Sequence, residues 1–266
     1  MTFCSDLMNT VKLSPLHGRT ILISGAGGGL GSVAAQACAE AGACVILLDK
    51  VVSRLEKLYD DIVSLGQTQP AIYPMDLEKA TEADFNELAE ILDAQFGVLH
   101  GLLHSATDIG ILGPLADIQS VQWDRLLRVN LTATQGLTRA LLPLLSRAGD
   151  ASLIFTSNSS ARLGKAYWGA YGVAAIALEG MARMWAEELS SSGRVRVNVF
   201  VPGPVNSPSR RKSHPGEMPD ENPPPSILAS RYVDLLSPTS RATHGQIVTG
   251  ASKLALTSEQ ERQSLL

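Results

Sequence analysis

Glycines at 25, 29 and 31 follow the apolar run TILIS (20–24) and open a stretch of helical composition, SVAAQACAEAG. Glycine permits a tight turn there. It also lets backbone N–H groups approach an anion, and the helix N-terminus adds a partial positive charge. The chemistry that fits is the cradling of a pyrophosphate. A second apolar run, CVILLD (44–49), ends in Asp49, with Lys50 directly after it. An acid in that place accepts hydrogen bonds from an adenosine ribose and repels a 2′-phosphate. The expectation is a bound dinucleotide, NAD in preference to NADP, with Lys50 softening the choice. The other reading of Asp49 is a solvated strand-end residue.

The elements that must position these groups alternate along the chain. TILIS, CVILLD, AIYPMD (71–76), GVLHGLLHS (97–105), ASLIFTS (151–157), RVNVFVP (196–202) and GQIVTG (245–250) read as strands. They are apolar on both faces, as strands covered on both sides must be. Helical length and periodicity fall at about 30–42, 53–65, 81–96, 119–147 and 167–191. The expected architecture is α/β: one Rossmann-type doubly wound domain with a mostly parallel seven-stranded sheet and helices on both faces. Residues 1–17 read as an N-terminal extension. The Pro- and charge-rich stretch 204–226, PVNSPSRRKSHPGEMPDENPPPS, reads as an irregular, mobile loop over the substrate, or as a disordered insertion.

Composition removes several classes of function. The net charge of −4 and the lack of a long basic run argue against nucleic acid. No apolar stretch reaches the roughly 18 residues of a membrane span. The N-terminus carries no basic region followed by an apolar run, so no secretion signal is read. Three cysteines, Cys4, Cys38 and Cys44, form no metal-ligand spacing and point to reduced thiols in the cytoplasm. No metal is expected. The sequons at Asn130 and Asn158 are then chance matches.

Taken together, these stretches resemble the short-chain dehydrogenase/reductase family over nearly the whole chain. Ser24-Gly25-(x3)-Gly29-Leu30-Gly31 is similar to the family's T-G-x-x-x-G-x-G, with Ser for Thr. The resemblance implies that Asp76 and Leu77 of MDL (75–77) lie at the adenine. It implies that Ser105 and Ala106 lie at the cofactor, and that Pro202, Gly203 and Ser207 of VPGPVNS lie at the nicotinamide. RVNLTAT (128–134) is similar to the helix of the family's catalytic Asn, which gives Asn130 that role. AYGVAAIAL (170–178) is similar to A-Y-x-A-S-K-A-A-L, which makes Tyr171 the catalytic Tyr. It further implies a small carbonyl or alcohol substrate. A homodimer or homotetramer pairing the two long helices is implied too, or a hetero-oligomer with an active relative.

The departures decide the chemistry. Thirteen residues before Tyr171 the family has Ser and this chain has Asn158; four residues after it the family has Lys and this chain has Ala175. The family's N-A-G turn reads Ser105-Ala106-Thr107. An ordinary phenol, with a pKa of about 10, is poorly matched to neutral pH, and a nearby cation would correct this. Ala175 supplies none. Lys165 and Arg162 are the sequence's candidates for a substitute cation. The amide of Asn158 can donate to a carbonyl oxygen. His104 reads as a strand-end residue packed on a helix, and Tyr167 and Trp168 as a substrate wall or as packing. Three functions remain open. One is an oxidoreductase working with Tyr171, Asn130 and Asn158. Another is a catalytically silent, NAD(H)-binding sensor or subunit. The third is a scaffold that binds no nucleotide.

Overall fold

The computed structural model describes residues 14–218 and 220–250. Most of the expected 1–17 extension, with Cys4, lies outside these residues. Seven strands form one sheet: β1 (Thr20–Ser24), β2 (Cys44–Asp49), β3 (Ala71–Pro74), β4 (Gly101–His104), β5 (Ala151–Thr156), β6 (Val195–Val201) and β7 (Ile247–Thr249). The order is β3-β2-β1-β4-β5-β6-β7, and every pairing is parallel. The chain order reverses between β1 and β4, and such a switch point opens a crevice at the strands' carboxyl ends. All strand residues of β1, β4 and β6 are buried, which explains their largely apolar character; the buried Arg196 and Asn198 of β6 are held by hydrogen bonds to Ser237 O and Thr243 O.

Nine α-helices cover the sheet in the described residues. They are α1 (Gly31–Glu40), α2 (Val52–Ser64), α3 (Glu82–Phe96), α4 (Ser120–Leu127), α5 (Ala133–Arg147), α6 (Ser159–Arg162), α7 (Gly169–Ser190), α8 (Pro208–Ser213) and α9 (Ala229–Leu236). One core packs the sheet on α3, α5 and α7 through residues such as Leu88, Leu137 and Leu178. The other packs it on α1, α2 and α9 through Ala35, Leu58 and Tyr232. Helix α3 starts in a capping box: the Thr81 and Asp84 side chains reciprocally satisfy the backbone N–H groups of Asp84 and Thr81.

Two expectations need correction. The single helix expected over 119–147 is broken by a π-helical turn, Arg128–Thr132. The cause lies in Asn130, whose side-chain Nδ2 donates to the Leu126 carbonyl at 2.8 Å. A side chain inserted into the i→i−4 ladder widens the turn. The stretch 204–226 is irregular only in part. It holds α8, whose N-terminus is capped by Ser207 with Pro208 in its first turn. The chain beyond folds back through an Arg210–Glu217 ion pair, and Asn222 Nδ2 donates to Glu217 Oε2 at 2.8 Å.

Candidate active site

The carboxyl ends of the strands enclose three adjoining recesses. The largest, about 560 Å³, is bounded by the glycine loop, Asp49, Asp76, Leu77, Ser105 and Ala106. Its shape depends on missing side chains. Gly25 has φ +70°, and a Cβ there would lie 2.5 Å from the Cα of Ala106. A Cβ on Gly31 would lie 2.1 Å from the Gly25 carbonyl oxygen. Neither position admits a side chain without moving backbone. No side chain caps the first turn of α1, which opens on this recess. The loop and helix end thus present N–H groups and a positive dipole end to an anion.

Asp49 is partly committed. Its Oδ2 accepts from Gly27 N at 3.1 Å and its Oδ1 accepts from Val51 N at 3.1 Å. The acid therefore ties the glycine loop to the turn after β2. Lys50 and Arg54 line the same mouth. Asp76 Oδ1 accepts from Glu78 N, and both Lys50 and Lys79 lie within 4.0 Å of the Asp76 carboxylate. Ser24 is fully buried behind the loop, where its hydroxyl accepts from Ala106 N at 3.4 Å. It supports the cradle from behind and does not line it.

The second recess, about 80 Å³, is where the chemistry gathers. Tyr171 and Asn158 both line it, with Leu30, Ser105, Pro202, Gly203, Ser207 and Arg210. Tyr171 sits in the first turn of α7, with the buried Trp168 ring at 6.0 Å. Burial pushes its phenol above the ordinary range, and an interaction with the Thr107 hydroxyl opposes this. Asn158 caps α6: its Oδ1 accepts from Ser160 N at 2.9 Å and Ala161 N at 3.1 Å. The cap fixes the amide and leaves the NH₂ half to donate elsewhere. The hydroxyl of Ser157 donates to buried Glu179 at 2.6 Å.

The third recess is a small inner space lined by Ala175, Tyr171, Thr107, Asn130 and His104. Asn130 lies at its wall with every hydrogen-bonding site of its amide used. Its Nδ2 donates to Asp108 O at 2.7 Å and to Leu126 O, and its Oδ1 accepts from Thr107 Oγ1 and Asp108 N, each at 3.0 Å. Its work is to hold the loop after β4 against the π turn. His104 matches its packing role: its ring stacks on Phe155 at 5.1 Å and its Nε2 lies 2.9 Å from Thr138 Oγ1. Burial pushes it down to about 3, so it is neutral.

Neither candidate cation, Arg162 or Lys165, lines any of the three recesses. Arg162 Nε donates to Glu179 Oε1 at 2.7 Å, and Lys165 is exposed to solvent. Thr107 is the residue that sequence reading passed over. It lines all three recesses, and only its departure from a glycine in the N-A-G turn marked it.

The profile of the short chain dehydrogenase family matches residues 19–218. The chain belongs to that family. The "uncharacterized oxidoreductase YciK" of Escherichia coli K12 is 35% identical over 234 residues, 88% of this chain and 92% of YciK. A solved short chain dehydrogenase from Pseudomonas syringae superposes with a TM-score of 0.88 at 42% identity, over 90% of this chain and 97% of that one. Another, from Escherichia coli CFT073 and complexed with NADPH, gives a TM-score of 0.87 at 35% identity, covering 91% of this chain and 100% of its own. The NADPH of that complex lends no support to the preference for NAD drawn from Asp49. Among the described residues no helix is long and apolar enough to cross a membrane.

Proposed function

We propose that this protein is a nicotinamide-dinucleotide oxidoreductase that reduces a carbonyl, with Tyr171 as a neutral proton donor in place of a Lys-activated one. The observation that carries the reading is the placement of Tyr171. A buried phenol shares a small pocket with the Asn158 amide, next to a cleft whose glycines leave room for a dinucleotide. When bound, the dinucleotide would supply the hydride. The glycine loop and α1 would hold its pyrophosphate, and Ser105, Ala106, Pro202, Gly203 and Ser207 would border its nicotinamide end. Asp76 and Leu77 would border the adenine.

The chain's own groups divide the remaining work. The NH₂ of Asn158 polarises the carbonyl oxygen, as the hydroxyl of a Ser would. Tyr171 gives that oxygen its proton. Asn130 holds the wall behind Tyr171. The raised phenol stays protonated through the neutral range, so reduction rates should be flat between about pH 6 and pH 9. A panel of ketones and diketones with NADPH, followed by nicotinamide absorbance, tests this. A rate that titrates inside that window would contradict a neutral Tyr171 donor.

The cofactor proposed is NADP(H), bound at least as well as NAD(H). Asp49 spends acceptor capacity on Gly27 and Val51, while Lys50 and Arg54 bring positive charge to the same mouth. NADPH in a relative supports this choice.

We also propose that two copies pair through α7. Val173, Ile176 and Met184 form an outward apolar stripe on that helix, and Met184 is 67% exposed. A monomer by light scattering at micromolar concentration would sink this arrangement.

A further inference from the structure

We propose that Thr107 is a positioning residue whose hydroxyl swings between Asn130 and Tyr171 and stabilises the phenolate left when Tyr171 gives up its proton. The inference rests on the reading of Tyr171 as proton donor.

Asn130 Nδ2 lies 2.7 Å from Asp108 O and 2.8 Å from Leu126 O. Both are carbonyl oxygens that can only accept, so the amide orientation is fixed and Oδ1 must face Thr107. A Thr hydroxyl has a single hydrogen. At 3.0 Å from Asn130 Oδ1, the Thr107 hydroxyl donates that hydrogen to it. Toward Tyr171, which lines the same inner recess, it then has only lone pairs to offer.

Proton transfer reverses this need. The Tyr171 O–H bond breaks and an O–H bond forms on the substrate oxygen, while the carbonyl carbon takes its hydride from the reduced dinucleotide. The phenolate now requires a donor. Thr107 can turn its O–H from Asn130 to the phenolate, exchanging one hydrogen bond for another. Asn130 Oδ1 is not orphaned by the turn, because Asp108 N still donates to it at 3.0 Å. The hydroxyl is thus a neutral group positioned to do part of what a cation at position 175 would do. Ala175 lines the same inner recess as Thr107 and Tyr171.

Other ionisable groups around Tyr171 are fixed in the test. They are neutral His104 in the inner recess, Arg210 paired with Glu217 at the outer pocket, His214 against Trp168, and Asp108 paired with Arg125.

The experiment places 3,5-difluorotyrosine at position 171, which brings phenol titration into the range where proteins stay folded, and follows it by fluorine NMR. Thr107→Val should raise the midpoint by about one pH unit, the value of a hydrogen bond to a charged group. Thr107→Ser should restore it. Equal midpoints for Val and Thr would overturn the proposal, as would a Ser variant that behaves like Val. The outcome is independent of turnover. Failure of Tyr171 as donor would show separately, as unchanged reduction by Tyr171→Phe.

Discussion

Replacing Tyr171 with Phe is expected to lower carbonyl reduction by at least about a hundredfold, at unchanged dinucleotide affinity. Positioned acid–base groups contribute about 10²–10⁴ in rate. The change removes one hydroxyl from a buried ring that packs on Trp168, so the wall of the pocket persists. The measurement is kcat for whichever ketone the panel identifies, together with dinucleotide binding to the same variant. Equal kcat for Tyr and Phe would remove Tyr171 as the acid. A wild-type protein that binds dinucleotide but turns over no carbonyl would favour the silent, sensor-like alternative.

The double change Ala175→Lys with Asn158→Ser should raise turnover by about 10- to 100-fold. An ammonium within about 4–6 Å favours the ionised phenol and lowers its pKa by about 1–3 units. A catalyst accelerates both directions of one reaction, so the gain should be seen in reduction and oxidation alike. Alcohol oxidation needs the phenolate. Its rise with pH should therefore begin at least one unit lower in the variant than in the wild type. Ser at 158 keeps the cap of α6, because its oxygen can accept the same backbone N–H groups and its O–H remains to donate. Initial rates over a pH series check both effects. A variant that binds dinucleotide with no gain in rate would show that the recess at Ala175 does not admit a Lys within reach of Tyr171.

The sheet was legible because buried parallel strands are apolar on both faces, and each of the seven runs held a strand. The glycine loop was legible for a similar reason: at Gly25 and Gly31 any side chain would strike backbone. What escaped were features set by side-chain bonds across the fold. Asn130 matched a motif, but its saturation by four bonds and its widening of the helix into a π turn cannot be read from spacing. Asp49 stood out at the end of its strand, but its bonds to the Gly27 and Val51 N–H groups, which tie the glycine loop to the turn after β2, cannot be read from spacing. Helix α8 hid in a segment full of Pro and charge, because its six residues depend on a Ser207 cap and an ion pair seven residues long in sequence, Arg210–Glu217. Arg162 was a plausible cation near Tyr171 only until its partner, Glu179 on α7, was visible.

On the function proposed, the cleft built by Gly25, Gly31, Asp49 and α1 holds a nicotinamide dinucleotide without help from a Lys at 175. Titrating the purified protein with NADPH and, separately, NADH, followed by nicotinamide fluorescence, tests it directly. The account predicts saturable binding of both, with NADPH no weaker than NADH. Binding of NADH more than tenfold tighter would contradict the roles given to Lys50 and Arg54. No binding of either by the folded protein would contradict the claim itself.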